Sequence, residues 1–354
     1  MVREHCESLW RDFADLADAN FLDRLPFEFH QRWFEMYLGA ALRRAGLEVA
    51  APKPGPDFRV TVGGKRIHIE AIAPTAGNPL HADFVQEPVY TDAAGRPTAA
   101  RVPHDQITLR IAAAFRAKAD AFDRYRRDRH VGADETCIVA INLRDIPHAW
   151  ADAEDYWFRA FYGVGDRFVA INPAGAPAIE GRDHRTLLHR ASGAPEDVAP
   201  LLRAERAEIA GVLGSSADVG NVPNPTGDDF LLMPHKTPRS PYPRGFVNRG
   251  AEVVLHATES EHWGVEIIDY GAHQPRGPER VVAEYEGTRL EGNWSVAGRT
   301  LSVRIAGHGC DVPLAGGDDP VATAKRIAVE MLRAYEGDSA PAHEDATHPE
   351  IADE

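Results

Sequence analysis

Cysteine is scarce. The 354 residues hold three, Cys6, Cys137 and Cys310, an odd number that is widely spaced and forms no paired motif. This argues against a disulfide framework and leaves Cys137, inside the apolar run TCIVAINL, as a small core residue. No apolar run approaches the roughly 18 residues that a membrane-spanning helix needs. The opening MVREHCESLWRDFADLADA is amphipathic, with Leu9, Phe13 and Leu16 at helical spacing, and lacks the pattern of a secretory segment. The expected location is cytoplasmic, with no membrane partner. Positive charge is also short: 39 Lys and Arg against 54 Asp and Glu give a formal −15, which argues against indiscriminate attraction to phosphate backbones. Part of that charge sits in DSAPAHEDATHPEIADE, residues 338–354, which carries six acids and no Lys or Arg. Its Pro/Ala/acid composition predicts a disordered tail, and without it the formal −15 falls to −9. GHGC, with His308 and Cys310, lacks a second pair at zinc spacing. Neither GVG at 163–165 nor GVLGSS at 211–216 completes a phosphate loop, and no internal repeat is visible.

What is present is a globular pattern, 44% hydrophobic, in a chain long enough for one large domain with an extension or for two domains. After the first helix, a second is expected from Pro26 to about Ala45, stopped by Gly46. A hairpin follows over 57–73, then a long Pro/Gly-rich loop, a third helix from about Asp105 to Arg129, and the strand TCIVAINL, apolar enough for burial on both faces. Further strands are expected in DRFVAINP, EIAGVLGSS and DDFLLMP. The basic RYRRDRH, 124–130, reads as a solvated helix end, with a local positive patch as the alternative. From about Arg249 short alternating strands with Gly-rich turns suggest a meander, followed by a helix capped by Asp319 and Pro320 and ended by Gly337. The expected division is 1–248 as an α/β domain, 249–337 as a small β-rich module with a terminal helix, and 338–354 as the tail.

The hairpin GPDFRVTVGGKRIHIEAIAP carries the chemistry. Gly63-Gly64 suits a two-residue turn with positive φ, and counting outward pairs Val62 with Lys65, Val60 with Ile67, Phe58 with Ile69 and Asp57 with Glu70. That register assembles one apolar face yet sets two carboxylates opposite each other, which destabilises a sheet. A hard cation between them resolves the conflict: Mg²⁺ takes one or two carboxylates and keeps waters for a substrate phosphate to displace. The plain alternative leaves Asp57 at the strand mouth and Glu70 on a solvent face. In the third helix, Ile107, Ile111, Ala114, Phe115, Phe122 and Tyr125 form the inward stripe, and Lys118 falls within it, where it must snorkel or find a carboxylate. Glu35 borders the stripe of the second helix beside Leu38 and Leu42. His68 shares the face of Glu70, as a sheet-surface histidine or as a contact to phosphate or water. Arg110, eight residues before Lys118, either binds phosphate or forms a surface ion pair.

A helix with Glu35, then GPDF with Asp57, a hairpin, and HIEAIAP with Glu70 resembles the PD-(D/E)XK, or restriction-endonuclease-like, nuclease superfamily over roughly residues 28–142, and to 235 if later strands complete the sheet. The resemblance implies an α/β fold with a mixed central sheet flanked by helices. It implies metal ligation by Asp57, Glu70 and the carbonyl of Ala71, with Glu35 in support. The chain departs from the family at Ile72, where the family's lysine stands. Some members carry that lysine on a neighbouring helix, and Lys118 then completes the catalytic set of Asp57, Glu70, Lys118 and Glu35. Lys65 lies at the hairpin tip, remote from the acids. The implied activity is Mg²⁺- or Mn²⁺-dependent hydrolysis of phosphodiester bonds, with DNA the favoured nucleic acid and homo-oligomerisation left open. The rival expectations are an inactive nuclease-like fold used for nucleic-acid binding or assembly, and a structural protein whose hairpin acids bind no metal.

Overall fold

Chain punctuation and apolar period together set the element order. In the computed structural model, described over residues 2–87, 96, 102–171, 177–223, 226–257, 263–270, 279–285, 288–297, 300–305, 308–313 and 323–331, α1 (Val2–Phe13) is followed by the short α2 (Phe21–Arg24) and by α3 (Phe29–Arg44). Gly46, at φ +83°, ends α3. Its amide bonds the Arg43 carbonyl and that of Leu47 bonds Leu42, the paired closure that a left-handed residue permits.

Next come β1 (Glu48–Ala50), β2 (Phe58–Val62) and β3 (Lys65–Ile72). Gly63 and Gly64 have φ of +56° and +82°, and the register pairs Phe58 with Ile69, Val60 with Ile67 and Val62 with Lys65, as the turn count requires. α4 (His104–Arg127) and β4 (Thr136–Asn142) follow. β3 and β4 run parallel, so the chain between them must cross over, and α4 is part of that crossover. Beyond α5 (Ala153–Tyr162) lie β5 (Val164–Ile171), β6 (Pro177–His184), β7 (Leu187–His189), β8 (Pro195–Asp197), β9 (Gly211–Ser215) and β10 (Leu231–Pro234). The described chain continues with β11 (Ala251–Ala257), β12 (Trp263–Asp269), β13 (Glu279–Tyr285), β14 (Thr288–Ala297), β15 (Thr300–Ile305) and β16 (His308–Pro313).

Eight strands form one mixed sheet in the order β1-β2-β3-β4-β9-β10-β11-β12. Alternate residues of its central strands feed two cores. Val60, Ile67, Ile69, Ile138, Ala140 and Leu213 pack with α1 and α3. Cys137, Val139, Ile141 and Val212 pack with α4 and α5. The fold is therefore α/β, with a large mixed sheet flanked by helices, and β4 is buried along its whole length.

Two expectations change. The strand in DRFVAINP does not join the large sheet, because β5 pairs with its antiparallel neighbour β6 in a separate two-stranded sheet. The boundary expected near residue 249 lies at 272/273. β11 pairs in parallel with β10 and β12 pairs with β11, so both belong to the main sheet. The second unit, residues 273–354, contains an antiparallel sheet β13-β14-β15-β16 and a helical segment at 323–331. The helix cap at Asp319 and Pro320, the stop at Gly337, the acidic tail and most of 88–101 lie outside the described residues.

Candidate active site

Asp57 immediately precedes β2, and Glu70 lies near the end of β3. Asp57 Oδ2 accepts the Ala71 amide at 2.8 Å, so the two acids are held at the same end of the hairpin. Glu70 is 3% exposed and Asp57 30% exposed. Burial, then the charge of Asp57, push the Glu70 carboxyl above the usual range, while Lys118 and the nearby Tyr125 hydroxyl oppose the rise.

The helical period of α4 brings Lys118 inward. Its Nζ lies 2.6 Å from Glu70 Oε2 and 3.6 Å from Asp57 Oδ2, and its side chain is 21% exposed. Burial alone would weaken its protonation. The Asp57 and Glu70 charges and the hydrogen bond to Glu70 outweigh that and hold it above the ordinary lysine range. It is a cation at neutral pH, and the repulsion expected between the acids is offset by an ammonium beside both.

Glu35 joins the cluster from the facing helix, α3. Its Oε1 accepts Gln31 Nε2 at 2.8 Å, and its Oε2 accepts Arg32 Nη1 at 2.8 Å. Burial and then Asp57 raise its carboxyl, against these two donors. Gln31 was not singled out by sequence reasoning, although its side chain links α3 to β3 and the residue after it. Nε2 also reaches the Ala71 carbonyl at 3.1 Å, and Oε1 accepts the Ala73 amide at 2.8 Å. Its spacing of four residues from Glu35 was the available signal. Tyr125, assigned only to the inward stripe, also turns its hydroxyl to Glu70, two helical turns beyond Lys118.

His68 lies on the Glu70 face but is turned away from this cluster. It is buried, with Nε2 2.8 Å from Glu135 Oε2, and burial lowers its basicity despite that partner. Arg126, from the basic run after Lys118, donates to the Glu208 carbonyl at 3.0 Å and so serves packing. Ile72 packs against the core under α4.

Asp57, Glu70, Ala71, Lys118 and Glu35 are thus brought together from α3, the hairpin and α4. The arrangement offers two carboxylates and a backbone carbonyl beside a fixed cation. Among the described residues no group of three or more His, Cys, Asp or Glu forms a metal cage. No protein-family model, curated protein or solved structure matches the chain.

Proposed function

We propose that the chain is a Mg²⁺- or Mn²⁺-dependent phosphodiester hydrolase acting on nucleic acid, DNA first, as a divergent restriction-endonuclease-like nuclease. One observation carries the reading: α4 delivers an ammonium to within 2.6 Å of Glu70 and 3.6 Å of Asp57 in a chain with Ile72 at the family's lysine position. The donor set fits Mg²⁺, which takes one or two carboxylates and completes its shell with water. Asp57 Oδ1 takes no hydrogen bond among the described residues, and the Ala71 carbonyl meets one donor, Gln31. A closed cage of side chains is not required. Asp57, Glu70 and the Ala71 carbonyl would hold the ion, whose chemistry when bound is to polarise a phosphoryl oxygen and acidify water.

The chain's own groups do the remaining work. Lys118 neutralises charge gathering on the phosphoryl oxygens and, through its 2.6 Å bond to Oε2, aims Glu70. Gln31 fixes the strand at Ala71 and Ala73. Arg32 and Gln31 clamp Glu35 behind the site. The second reading, an inactive nuclease-like fold used for binding or assembly, is favoured by Ile72, whose apolar side chain packs against the core.

The test incubates the full chain with single- and double-stranded DNA and RNA in Mg²⁺ or Mn²⁺, and follows thermal stability as metal is added. Cleavage that disappears in Asp57→Asn is the expected result. An inert wild type that gains cleavage through Ile72→Lys supports the second reading. An inert wild type whose melting temperature ignores both metals sinks the metal site itself, because a bound ion must stabilise the fold.

A further inference from the structure

Buried cations in proteins are normally paired, since taking a charge out of water is costly without an opposite charge or a full set of acceptors. Arg110, on α4, departs from this. It is half-buried, its Nε donates to the Thr75 carbonyl at 3.0 Å, and no carboxylate among the described residues lies within ion-pairing distance. Burial, then the charge of nearby Arg190, hold its guanidinium below the usual arginine range, against a smaller opposing effect of Asp83.

The neighbouring acids are already engaged. Asp83 Oδ1 accepts the Ala191 amide at 2.8 Å. Glu196, itself buried, takes Arg190 through Nε at 3.0 Å and Nη2 at 2.5 Å, and Arg116 at 3.0 Å. Gly77 lies beside the Arg110 guanidinium, and a Cβ there would stand 3.5 Å from it. The surface ion pair that would have made Arg110 ordinary is absent among the described residues.

Its position relates it to the catalytic cluster. Arg110 precedes Lys118 by eight residues, about 12 Å along a helix rising 1.5 Å per residue. Its partner Thr75 lies three residues past the end of β3, the strand that carries Glu70 and Ala71. On the same edge of α4 the intervening residues include Ala114 and Ala117, neither of which is bulky.

We propose that Arg110 is a phosphate-binding residue, its planar fork receiving the phosphodiester of the substrate strand a few nucleotides from the scissile bond. Arginine suits this because its donors match the geometry of two phosphate oxygens, and about 12 Å corresponds to three or four nucleotides at ~3.4 Å of rise each. The inference rests on the nuclease reading.

The experiment is a fluorescence-anisotropy titration of labelled duplex and single-stranded oligonucleotides with the full chain in Ca²⁺, across a salt series, beside a cleavage assay in Mg²⁺. Arg110→Gln removes the charge but keeps a donor for the Thr75 carbonyl. It is expected to weaken binding evenly across sequences and to flatten the slope of log K against log salt by one contact, about 0.9 for duplex and about 0.7 for single strands. Arg110→Lys is expected to restore the slope. The melting temperature of Arg110→Gln should equal or exceed that of wild type, since a half-buried cation with no carboxylate partner among the described residues is lost. A wild type that binds and cleaves, with an unchanged slope in Arg110→Gln, overturns the phosphate contact and leaves the nuclease reading intact. A wild type that neither binds nor cleaves any oligonucleotide overturns both. Stabilisation of wild type but not Arg110→Gln by orthophosphate, without oligonucleotide binding, assigns the fork to free phosphate and overturns the strand contact.

Discussion

Lys118 and Gln31 make separable contributions to one site, one electrostatic and one geometric. Lys118→Met should fold, because methionine suits the apolar stripe around it, and should still bind Mg²⁺, because Asp57, Glu70 and Ala71 are unchanged. Turnover is expected to fall about 100-fold or more, the usual cost of deleting a charge-stabilising group. Adding Ile72→Lys should restore part of it, and single-turnover cleavage measures both effects; equal rates in wild type and Lys118→Met would remove the lysine from the mechanism. Gln31→Leu acts differently. It frees the Ala71 carbonyl, the Ala73 amide and Glu35 Oε1 together, so metal affinity or turnover should drop about 10- to 100-fold, the range for groups that orient metal ligands. Calorimetric Mg²⁺ titration checks it, and Gln31→Glu should not rescue, because a carboxylate cannot donate to the Ala71 carbonyl.

At the scale of elements, the join between β10 and β11 decides how far the main sheet extends. Gly250, at φ +63°, occupies a backbone state that side chains disfavour, and a Cβ there would fall 2.1 Å from the Phe230 carbonyl oxygen. The Ala251 amide bonds that same carbonyl at 2.6 Å. Glu252, one residue further, is buried and accepts Tyr270 Oη at 2.7 Å and the Gly245 amide at 2.8 Å. Burial raises its carboxyl above the usual value, with these two donors opposing. A carboxyl raised in the folded state contributes stability that is complete below its unfolded pKa and is lost as pH rises through the folded value. Glu252→Gln removes that loss while an amide oxygen can still accept a hydrogen bond. The variant should therefore match wild type near pH 4 and melt higher at pH 8, by roughly 2–4 °C for each kcal/mol relieved. Melting curves at the two pH values test it, and a variant that melts lower at pH 8 would show that the ionised carboxylate is needed at this join.

At the scale of the whole molecule, the first unit ends at residue 272. A chain stopped there should fold and respond to Mg²⁺ and Mn²⁺ as the full chain does. A chain stopped at 248 lacks β11 and β12, uncovers the edge of β10 and deletes Val253, which packs in the core beside α4 and α5. Exposed sheet edges invite pairing between molecules, so the shorter chain should aggregate where the longer one is monodisperse, as size-exclusion chromatography and melting curves would show. Equal behaviour of the two would return the boundary to 249.

The sequence alone determined what depends on local spacing. Gly63-Gly64 dictated the turn, and period-two alternation then allowed only the register that brings Asp57 toward Glu70. The helical period of α4 pointed Lys118 inward, and Gly46 marked the stop of α3. Each is a relation between residues close in the chain, where backbone geometry leaves few alternatives. The tertiary structure decided what depends on distant partners. Gln31 meets Ala71 and Ala73 only after α3 packs against the sheet, and Tyr125 is recognisable as more than a core aromatic only beside Glu70. Arg110 proved to lack a carboxylate within pairing distance among the described residues, a fact fixed by where the fold sets Glu196, which pairs with Arg190 and Arg116, and Asp83, which accepts the Ala191 amide. The alternation of β11 and β12 reads the same in a separate meander as at the edge of a larger sheet. The parallel pairing of Leu231 with Ala251 distinguishes the two, and such pairing arises from long-range packing that no local pattern encodes.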